Sequence, residues 1–170
     1  MRAALAADIP ALLALVESGF RGESAKRGWT HEADLLGGQR TDAQALADML
    51  ADPKQTMLLI EDDGALIGCV AITDKGGGCA YLGMLTVAPD LQGAGLGRQL
   101  VDAAEAFARA QLDARVMEMT VIKQRSELVG WYLRHGYEDT GREEPFPLDD
   151  PRFGLPKTRD LVFVVLSKRL

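Results

Sequence analysis

The segment VAPDLQGAGLGRQL, residues 87–100, is the feature that most constrains how this 170-residue chain can fold. Glycines alternate with other residues at positions 93, 95 and 97, between an apolar run that ends at Pro89 and a helical pattern. Glycine adopts positive φ at low cost and lets another molecule approach the backbone. A helix N-terminus adds unpaired N–H groups and partial positive charge. The segment therefore predicts a strand-to-helix turn that binds an anion.

Two well-known nucleotide-binding patterns do not fit this segment. A P-loop requires GxxxxGK[ST], but Arg98 and Gln99 follow Gly97, and no lysine is placed to reach terminal phosphates. A dinucleotide fingerprint requires glycine three residues after Gly95, where Arg98 stands. A tight turn without any ligand remains the alternative, because glycine-rich turns are common.

Hydrophobic periodicity on both sides of the segment predicts a mixed α/β fold. Apolar residues at helical spacing indicate helices over IPALLALVESGF after an Asp8 N-cap, after a capping box formed by Thr41 and Gln44, from Leu96 to about Gln111, and after a Ser126 cap. Strands are indicated for MRAAL, QTMLLIED, ALIGCVAIT, CAYLGMLTV, RVMEMTVI, YEDTG and DLVFVVLSKRL. Hairpin-linked and helix-linked strands coexist, which favours a mixed sheet. Two long polar connections, residues 21–40 and 143–159, interrupt this order.

Length, charge and cysteine content narrow the class of protein. The length predicts one domain, residues 1–170, and no apolar run approaches the roughly 20 residues that span a bilayer. The net charge of −6 argues against nucleic acid and suits a cationic or neutral small substrate, although solubility explains it equally well. Without a signal peptide we expect a cytoplasmic protein in which Cys69 and Cys79 are reduced, a disulfide between them being the alternative. No spacing typical of metal sites is present.

The sequence resembles the GCN5-related N-acetyltransferase (GNAT) family in two motifs. The family pattern V-x-P-x-x-[QR]-G-x-G-x-G-x-x-L is matched by Val87, Pro89, Gln92, Gly93, Gly95, Gly97 and Leu100. A second pattern, an aromatic–Tyr pair followed after three residues by Gly-aromatic, is matched by Trp131, Tyr132, Gly136 and Tyr137. The order of strands and helices agrees from Met1 to Leu170, so the resemblance covers the whole chain.

The resemblance implies both a fold and a cosubstrate. The fold would be a mixed, mostly antiparallel sheet of six or seven strands with about four flanking helices. Acetyl-CoA would lie where this sheet splays, between CAYLGMLTV and RVMEMTVI. No metal is implied. The implied cofactor-binding residues are Leu85, Val87, Gln92, Gly93, Ala94, Gly95, Leu96, Gly97, Arg98 and Tyr132.

Two groups receive chemical roles from the resemblance. The Leu85 N–H would polarise the thioester carbonyl as an oxyanion donor. Tyr132 would be the general acid near the sulfur, although its spacing alone also fits a core aromatic. Many family members carry asparagine seven residues before this tyrosine, in contact with the cofactor arm, but this chain has Arg125. Arg125 could approach a phosphate or the substrate; a solvated surface arginine is the simpler expectation.

The general base is less well determined by the sequence. Glu118, on the strand that flanks the gap, and Glu32, in the first long connection, are the candidates, and either needs a raised pKa or a water relay to work near pH 7. Glu118 could equally point outward under strand alternation, and Glu32 could be a solvated loop charge. His31 and His135 could titrate usefully, but His135 falls at a helix C-terminus.

The two long connections are the expected source of acceptor specificity. They offer aromatic and charged residues, of which Trp29, Glu32, Phe146 and Arg152 are the predicted substrate-binding residues. An acidic rim would favour polyamines or other amines, whereas Arg40 or Arg152 would favour a carboxylate on the amine. Trp29 could instead pin its loop to the core.

The function predicted is acetyl transfer from acetyl-CoA to a primary amine of a small molecule or peptide. A catalytically silent acyl-CoA sensor is the alternative, and acetylation of protein or aminoacyl-tRNA is a third, with the tRNA version least favoured by the charge. The oligomeric state cannot be read from the sequence, although homodimers are common in the family.

Overall fold

The computed structural model describes residues 1–170, which form a mixed sheet and five helices. The helices are α1 (Ile9–Phe20), α2 (Gly22–Ala25), α3 (Ala43–Ala51), α4 (Leu96–Leu112) and α5 (Ser126–Arg134). The strands are β1 (Arg2–Ala3), β2 (Leu36–Gly37), β3 (Gln55–Asp62), β4 (Ala65–Gly76), β5 (Cys79–Val87), β6 (Val116–Ile122), β7 (Glu138–Pro145), β8 (Leu155–Pro156) and β9 (Val162–Arg169). None of the helices combines the length and the apolar character needed to cross a bilayer.

Seven strands form the main sheet, in the order β1-β3-β4-β5-β6-β9-β7. Every neighbouring pair is antiparallel except β5 and β6, which run parallel because α4 connects them. The predicted fold class, a mostly antiparallel sheet of six or seven strands, is confirmed. Asp63 and Gly64 form the turn of the hairpin that joins β3 to β4.

The parallel pair β5–β6 separates partway along its length. It is paired only over Cys79↔Val116, Ala80↔Met117 and Tyr81↔Glu118. Beyond these residues β5 continues to Val87 and β6 to Ile122 without pairing to each other. At the point of separation the Tyr81 and Thr120 hydroxyls are 2.6 Å apart. The sheet is therefore splayed between the two strands that were predicted to flank the cofactor.

Two apolar cores cover the sheet. One centres on α4 and includes Leu100, Met117 and Tyr132, and the other packs α1 and α3 onto β3 and β4 through residues such as Leu12 and Leu46. Leu12, Leu46, Leu100 and Met117 are fully buried, and each such side chain contributes about 1.5–3 kcal/mol to stability. These cores fix the helices against the sheet and so fix the edges of the splayed gap.

The sequence predictions were wrong at two helix starts. The N-cap of α3 is Asp42, whose carboxylate accepts a hydrogen bond from the Ala45 N–H at 2.7 Å, and not Thr41. Helix α5 begins at Ser126 with Arg125 at the N-cap, so Ser126 does not cap it. Both errors are one residue long, which is the usual uncertainty of a helix end. At α3 the adjacent Thr41 and Asp42 are both favourable N-cap residues, whereas at α5 Arg125 makes no side-chain capping bond.

The two long connections contain more structure than their sequences indicated. The first contains α2 and β2, and the second contains β8, which pairs with β2 through Leu36↔Pro156 and Gly37↔Leu155. A small apolar cluster of Leu36, Ile122, Phe146 and Leu161 anchors this pair beside the end of β6. The connections are thereby fixed against each other at the mouth of the gap.

Candidate active site

A cavity of about 570 Å³ occupies the splayed gap. Its walls come from β5, β6, α5, the glycine segment and both long connections. It therefore spans the predicted cofactor side and the predicted acceptor side of the sheet. Cavities of this size that combine apolar walls with a few polar groups are typical of small-molecule sites.

The glycine segment forms one end of the cavity. Gly93 and Gly95 have φ of 87° and 84°, and a Cβ atom built on either would meet no atom within 4 Å. Gly95 is the N-cap of the 17-residue helix α4, and Gly93, Gly95, Gly97 and Arg98 all line the cavity. Bare backbone, free space and the positive end of a long helix meet at this point, which is the arrangement that binds phosphate groups.

The Gln92 side chain ties the glycine segment to the first connection. Its Oε1 accepts a hydrogen bond from the Trp29 N–H at 2.9 Å, and its Nε2 donates to the Val87 carbonyl at 3.3 Å. Any Cβ on Gly28 would collide with this amide, at 2.4 Å from Oε1. The glutamine therefore positions the loop through its side chain.

Strand β5 contains a bulge where it leaves β6. Ala71 pairs with Gly83 and Cys69 with Thr86, so Met84 and Leu85 together face one residue of β4. Met84 has φ of 50°, and its carbonyl accepts hydrogen bonds from the Thr86 hydroxyl and the Cys69 thiol. Bulges re-aim the backbone beside active sites. Here the bulge lies at the cavity wall, because Met84 and Leu85 both line the cavity, as does Val87 two residues later.

Tyr132 reaches the cavity from α5. Its side chain is 4% exposed and packs edge-on against Trp131 and Tyr137, with ring centroids 5.0 and 5.7 Å away. Burial raises the pKa of the Tyr132 phenol well above its ordinary value, and nearby Arg125 only partly opposes this effect. The hydroxyl is therefore protonated at neutral pH and available as a proton donor.

A buried cluster of charges also lies at the cavity wall. Glu32 receives hydrogen bonds from Arg21 at 2.5 Å and from Arg125 at 3.0 Å, and all three residues are less than 10% exposed. Arg125 also donates to the Thr30 hydroxyl at 2.8 Å, and Arg21 to the Phe153 carbonyl at 3.3 Å. The expectation of a solvated Arg125 is wrong: this arginine joins the first connection to the start of α5.

The charge cluster also fixes the protonation state of Glu32. Burial alone would raise the pKa of this carboxyl, but Arg125, Arg40 and Arg21 together lower it below its ordinary value of 4.5. Glu32 is therefore a bound carboxylate, and the expectation of a solvated loop charge is also wrong. It lines the cavity, but its oxygens are occupied by two guanidinium groups.

Comparison with known proteins identifies the family. A sequence profile described as "Acetyltransferase (GNAT) domain" matches residues 30–146, more than half of the chain. The chain belongs to the GNAT acetyltransferase family. The resemblance seen in the two sequence motifs is thereby confirmed.

Individual proteins match this chain over a shorter stretch or at a lower sequence identity. The amino-acid acetyltransferase of Ralstonia nicotianae is 38% identical over 80 residues, which is 46% of this chain but 17% of that protein. A ribosomal-protein-alanine N-acetyltransferase from Brucella melitensis superposes with a TM-score of 0.72 at 19% identity, over 99% of this chain and 98% of the other.

Two further solved structures share the GNAT fold. A mutant of spermidine N-acetyltransferase SpeG from Vibrio cholerae gives a TM-score of 0.71 at 15% identity, over 99% of this chain and 91% of that one. A Bacillus anthracis protein solved with acetyl coenzyme A gives 0.60 at 14% identity, over 73% and 67% of the two chains. At these identities the structures establish the fold of this GNAT protein and leave its acceptor open.

Most of the cofactor residues implied by the GNAT motif lie at the cavity. Those that line it are Leu85, Val87, Gln92, Gly93, Gly95, Gly97, Arg98 and Tyr132. Ala94 and Leu96, in the same segment, are not part of the lining, and Leu96 packs against the core around α4. The assignment of these residues to acetyl-CoA remains a prediction.

The predicted catalytic base Glu118 does not reach the cavity. It precedes the splayed part of β6, opposite Tyr81, and forms an ion pair with Arg142 of β7. Its neighbours Met117 and Met119 point into the core, so the outward orientation expected from strand alternation is the one observed.

The four predicted substrate residues divide into two pairs. Trp29 and Glu32 line the cavity, and the Trp29 ring lies 6.4 Å from that of Trp131. Phe146 does not line it: it is buried in the small cluster beside β2 and stacks on Phe163. Arg152 is also outside, because it is exposed and paired with Asp150 two residues earlier.

Several lining residues were missed by sequence reasoning. They include Phe20, Met49, Gln55, Thr73, Tyr81, Met84, Met119, Thr120 and Phe163. Most occupy ordinary helix or strand positions whose pattern indicates only core packing. Arg40 and Phe153, which the sequence identified as members of the two connections, do line the cavity.

Proposed function

We propose that this GNAT protein transfers the acetyl group of acetyl-CoA directly to the primary amine of a small molecule or peptide. The observation that carries the proposal is the meeting of three features in one cavity: the separated strands β5 and β6, the positive end of α4, and the buried Tyr132 hydroxyl. The activity rests on family membership together with this geometry, because the curated relative is matched over only 17% of its length.

The residues present fit acetyl-CoA as the cosubstrate. Backbone N–H groups from Gln92 to Arg98 would hold its diphosphate, since the glycines leave the backbone open and α4 contributes positive potential. The unpaired lengths of β5 and β6 leave room for an extended arm beside Leu85 and Val87. Bound there, acetyl-CoA supplies an activated acetyl thioester.

Two groups of the chain would carry the transfer. The Leu85 N–H, next to the bulge, would donate a hydrogen bond to the thioester oxygen as negative charge develops on it. Tyr132 would donate its proton to the sulfur as the C–S bond breaks and the N–C bond forms. The raised pKa of its phenol means that this hydroxyl carries its proton at neutral pH.

The proton lost by the amine is assigned to water leaving through the open acceptor side. Glu32 is a poor acceptor for it, because two arginines stabilise the carboxylate and lower its pKa. Glu118 is separated from the cavity and paired with Arg142. We therefore assign neither of these two carboxylates to the role of general base.

A silent acyl-CoA sensor is less well supported than an enzyme. A sensor needs the glycine segment, but it has no need for a protonated tyrosine buried against the same cavity. The cavity also extends past the gap to the face formed by α1 and α3, where a second substrate has room.

Release of CoA, measured with a panel of amines, tests the proposal. The panel should include amino acids, polyamines, aminoglycosides and peptide N-termini, each with acetyl-CoA at saturation. We expect turnover with at least one class and acetylation of its amine, confirmed by mass spectrometry. Tight acetyl-CoA binding without turnover across the panel would favour the sensor and overturn the proposal.

A further inference from the structure

We infer that the acceptor carries a carboxylate close to its amine, and that Arg40 is the residue that recognises this carboxylate. The inference rests on the proposed acetyl transfer and adds the chemical class of the acceptor. It makes an α-amino acid or a similar amino carboxylate the substrate and excludes a polycation.

The charges around the cavity favour an anion. The ionised residues that line it are three arginines, Arg40, Arg98 and Arg125, and one carboxylate, Glu32. Arg98 belongs to the glycine segment at the cofactor end, so Arg40 and Arg125 remain for the acceptor side. Glu32 is hydrogen-bonded to Arg125 and Arg21 and also lies within electrostatic reach of Arg40, so this one carboxylate is shared by three arginines. The charged residues that line the acceptor side, two arginines and Glu32, therefore sum to +1, although the whole chain has a net charge of −6.

Arg40 is the guanidinium that this arrangement leaves available. Its guanidinium carbon lies 5.1 Å from the centre of the Phe20 ring, and it takes part in none of the ion pairs of the structure. Its backbone N–H donates to Glu17 at 2.6 Å, and the next N–H, of Thr41, donates to the same oxygen at 2.9 Å. The backbone is thus fixed, the side chain rests on an aromatic face, and its planar donors remain free to receive a carboxylate.

A second observation concerns the hydrogen bonding of the neighbouring arginines. The Nε atoms of Arg21 and Arg125 are both buried and have no hydrogen-bond partner. Glu127 lies 3.9 Å from Arg125 Nε, which is beyond hydrogen-bond distance, and Glu32 accepts from the terminal nitrogens of both arginines. Both side chains are at most 7% exposed, so bulk water does not reach these donors easily. Buried donors without an acceptor cost stability, so the carboxylates of the chain leave part of the hydrogen-bonding capacity of this arginine cluster unused.

A polyamine does not fit the same surface. Recognition of a second ammonium group needs a free carboxylate, but the one carboxylate of the lining is bound by two arginines. A polycation placed beside Arg40 and Arg125 would be repelled. The solved relative that acts on spermidine therefore shares the fold, while the acceptor wall of this chain favours the opposite charge.

The experiment compares each amino acid with its carboxamide, which lacks the negative charge, and adds spermidine as a polycation. The twenty common amino acids, their carboxamides and spermidine are assayed with acetyl-CoA by CoA release, for the unaltered protein and for Arg40→Gln. For the best amino acid we expect kcat/KM about 10- to 100-fold above that of its carboxamide, the gain of one charge-assisted bidentate contact. Arg40→Gln should remove this difference by raising KM for the amino acid while leaving the carboxamide unchanged.

Three further variants test whether the preference for a carboxylate depends on Arg40. Arg109→Gln, an exposed arginine on α4 outside the cavity, should change neither substrate. Arg152→Gln should also change neither, and an effect there equal to that of Arg40→Gln would overturn the assignment. Arg40→Lys should restore part of the preference, because it keeps the charge but not the planar fork.

Failure of the inference is distinguishable from failure of the proposed function. Equal use of amino acids and carboxamides, or a preference for spermidine, would overturn the carboxylate inference and leave acetyl transfer standing. Absence of acetyl-CoA binding by calorimetry would overturn the proposed function itself. Retained acetyl-CoA binding by Arg40→Gln shows that its lost preference arises at the acceptor side.

Discussion

At the scale of single residues, Tyr132 is a side chain whose acid–base chemistry is changed strongly by its surroundings. It is buried between Trp131 and Tyr137, and this burial raises the pKa of its phenol. Its hydroxyl stays protonated through the pH range in which amines lose their protons. The rise in activity with pH should therefore follow the pKa of the acceptor amine, with no loss from ionisation of Tyr132 near neutral pH.

Replacing Tyr132 with phenylalanine removes this proton donor with little change in packing. We expect Tyr132→Phe to lower kcat by about 100-fold, the usual contribution of a general acid, while KM for acetyl-CoA changes much less. Steady-state kinetics of CoA release measure both constants. Tyr137→Phe is the matched control, because it removes a buried hydroxyl bonded to Glu105 at 3.1 Å outside the cavity. A Tyr132→Phe variant with full kcat would contradict the assigned role.

Glu32 acts in this account as a positioning residue that holds two arginines. Replacing it with glutamine leaves the buried Arg21 without its carboxylate partner and Arg125 with only Glu127, 3.9 Å away, so Glu32→Gln should lower the free energy of unfolding by about 3–5 kcal/mol at pH 7. The folded-state pKa of Glu32 is lowered, so its contribution is complete above its ordinary pKa of 4.5 and disappears as pH falls through the lower folded value. Denaturant unfolding of both proteins from pH 7 to pH 3 should show the difference shrink.

A loss of activity without a loss of stability would instead support Glu32 as the general base. A Glu32→Gln variant that keeps its stability but loses kcat about 100-fold or more would contradict the positioning role. Arg142→Gln at the Glu118 pair is a useful comparison, since that ion pair is partly exposed and its loss should cost at most about 1 kcal/mol.

The residues that sequence reasoning misplaced share a physical cause. Arg125 and Glu32 are 93 positions apart, and their pairing depends on the first long connection folding against the start of α5. Phe146 was expected to line the substrate pocket, but it packs into an apolar cluster with Leu36 and Ile122 instead. Arg152 pairs with Asp150 within a single turn. Composition indicates that a loop carries such residues, whereas tertiary contacts decide which of them reach the cavity.

At the scale of elements, the junction of β5 and α4 combines an open backbone with a helix terminus. Its glycine spacing made the turn and the helix start predictable from residues 87–100 alone, while the anion preference stays a prediction. The bulge at Met84 was not predictable in the same way, because it appears only as a register shift between β4 and β5. The separation of β5 from β6 likewise depends on pairing, and only the family resemblance suggested it.

A charged side chain at Gly95 tests the junction. Gly95→Glu should weaken acetyl-CoA binding by at least about 100-fold, because its carboxylate would occupy the space proposed for the phosphates and repel them. Gly64→Glu is a matched control: Gly64 also has positive φ, 80° against 84°, and a Cβ there also meets nothing within 4 Å. Both changes should cost about 1–2 kcal/mol in backbone strain. Equal acetyl-CoA affinity of the two variants, measured by calorimetry, would contradict the junction's role.

At the scale of the whole molecule, the order of elements was predicted more fully than the contacts between them. Strand and helix periodicity indicated the mixed sheet, and the sheet of seven strands with its one parallel pair confirms it. The short pair β2–β8 was not predicted, because two-residue strands carry no periodicity. This pair and its apolar cluster hold the two connections against each other, so the position of both connections depends on contacts that span most of the chain.

The most direct test of the account is a calorimetric titration of the purified protein with acetyl-CoA and, separately, with CoA. Titrations at two temperatures are needed, because burial of apolar surface gives binding a negative heat-capacity change and the heat can vanish at one temperature. We predict saturable binding of both ligands, with one site per chain, because the glycine segment recognises the diphosphate that they share. Absence of binding heat for both ligands at both temperatures would contradict the central claim that the gap between β5 and β6 is an acetyl-CoA site.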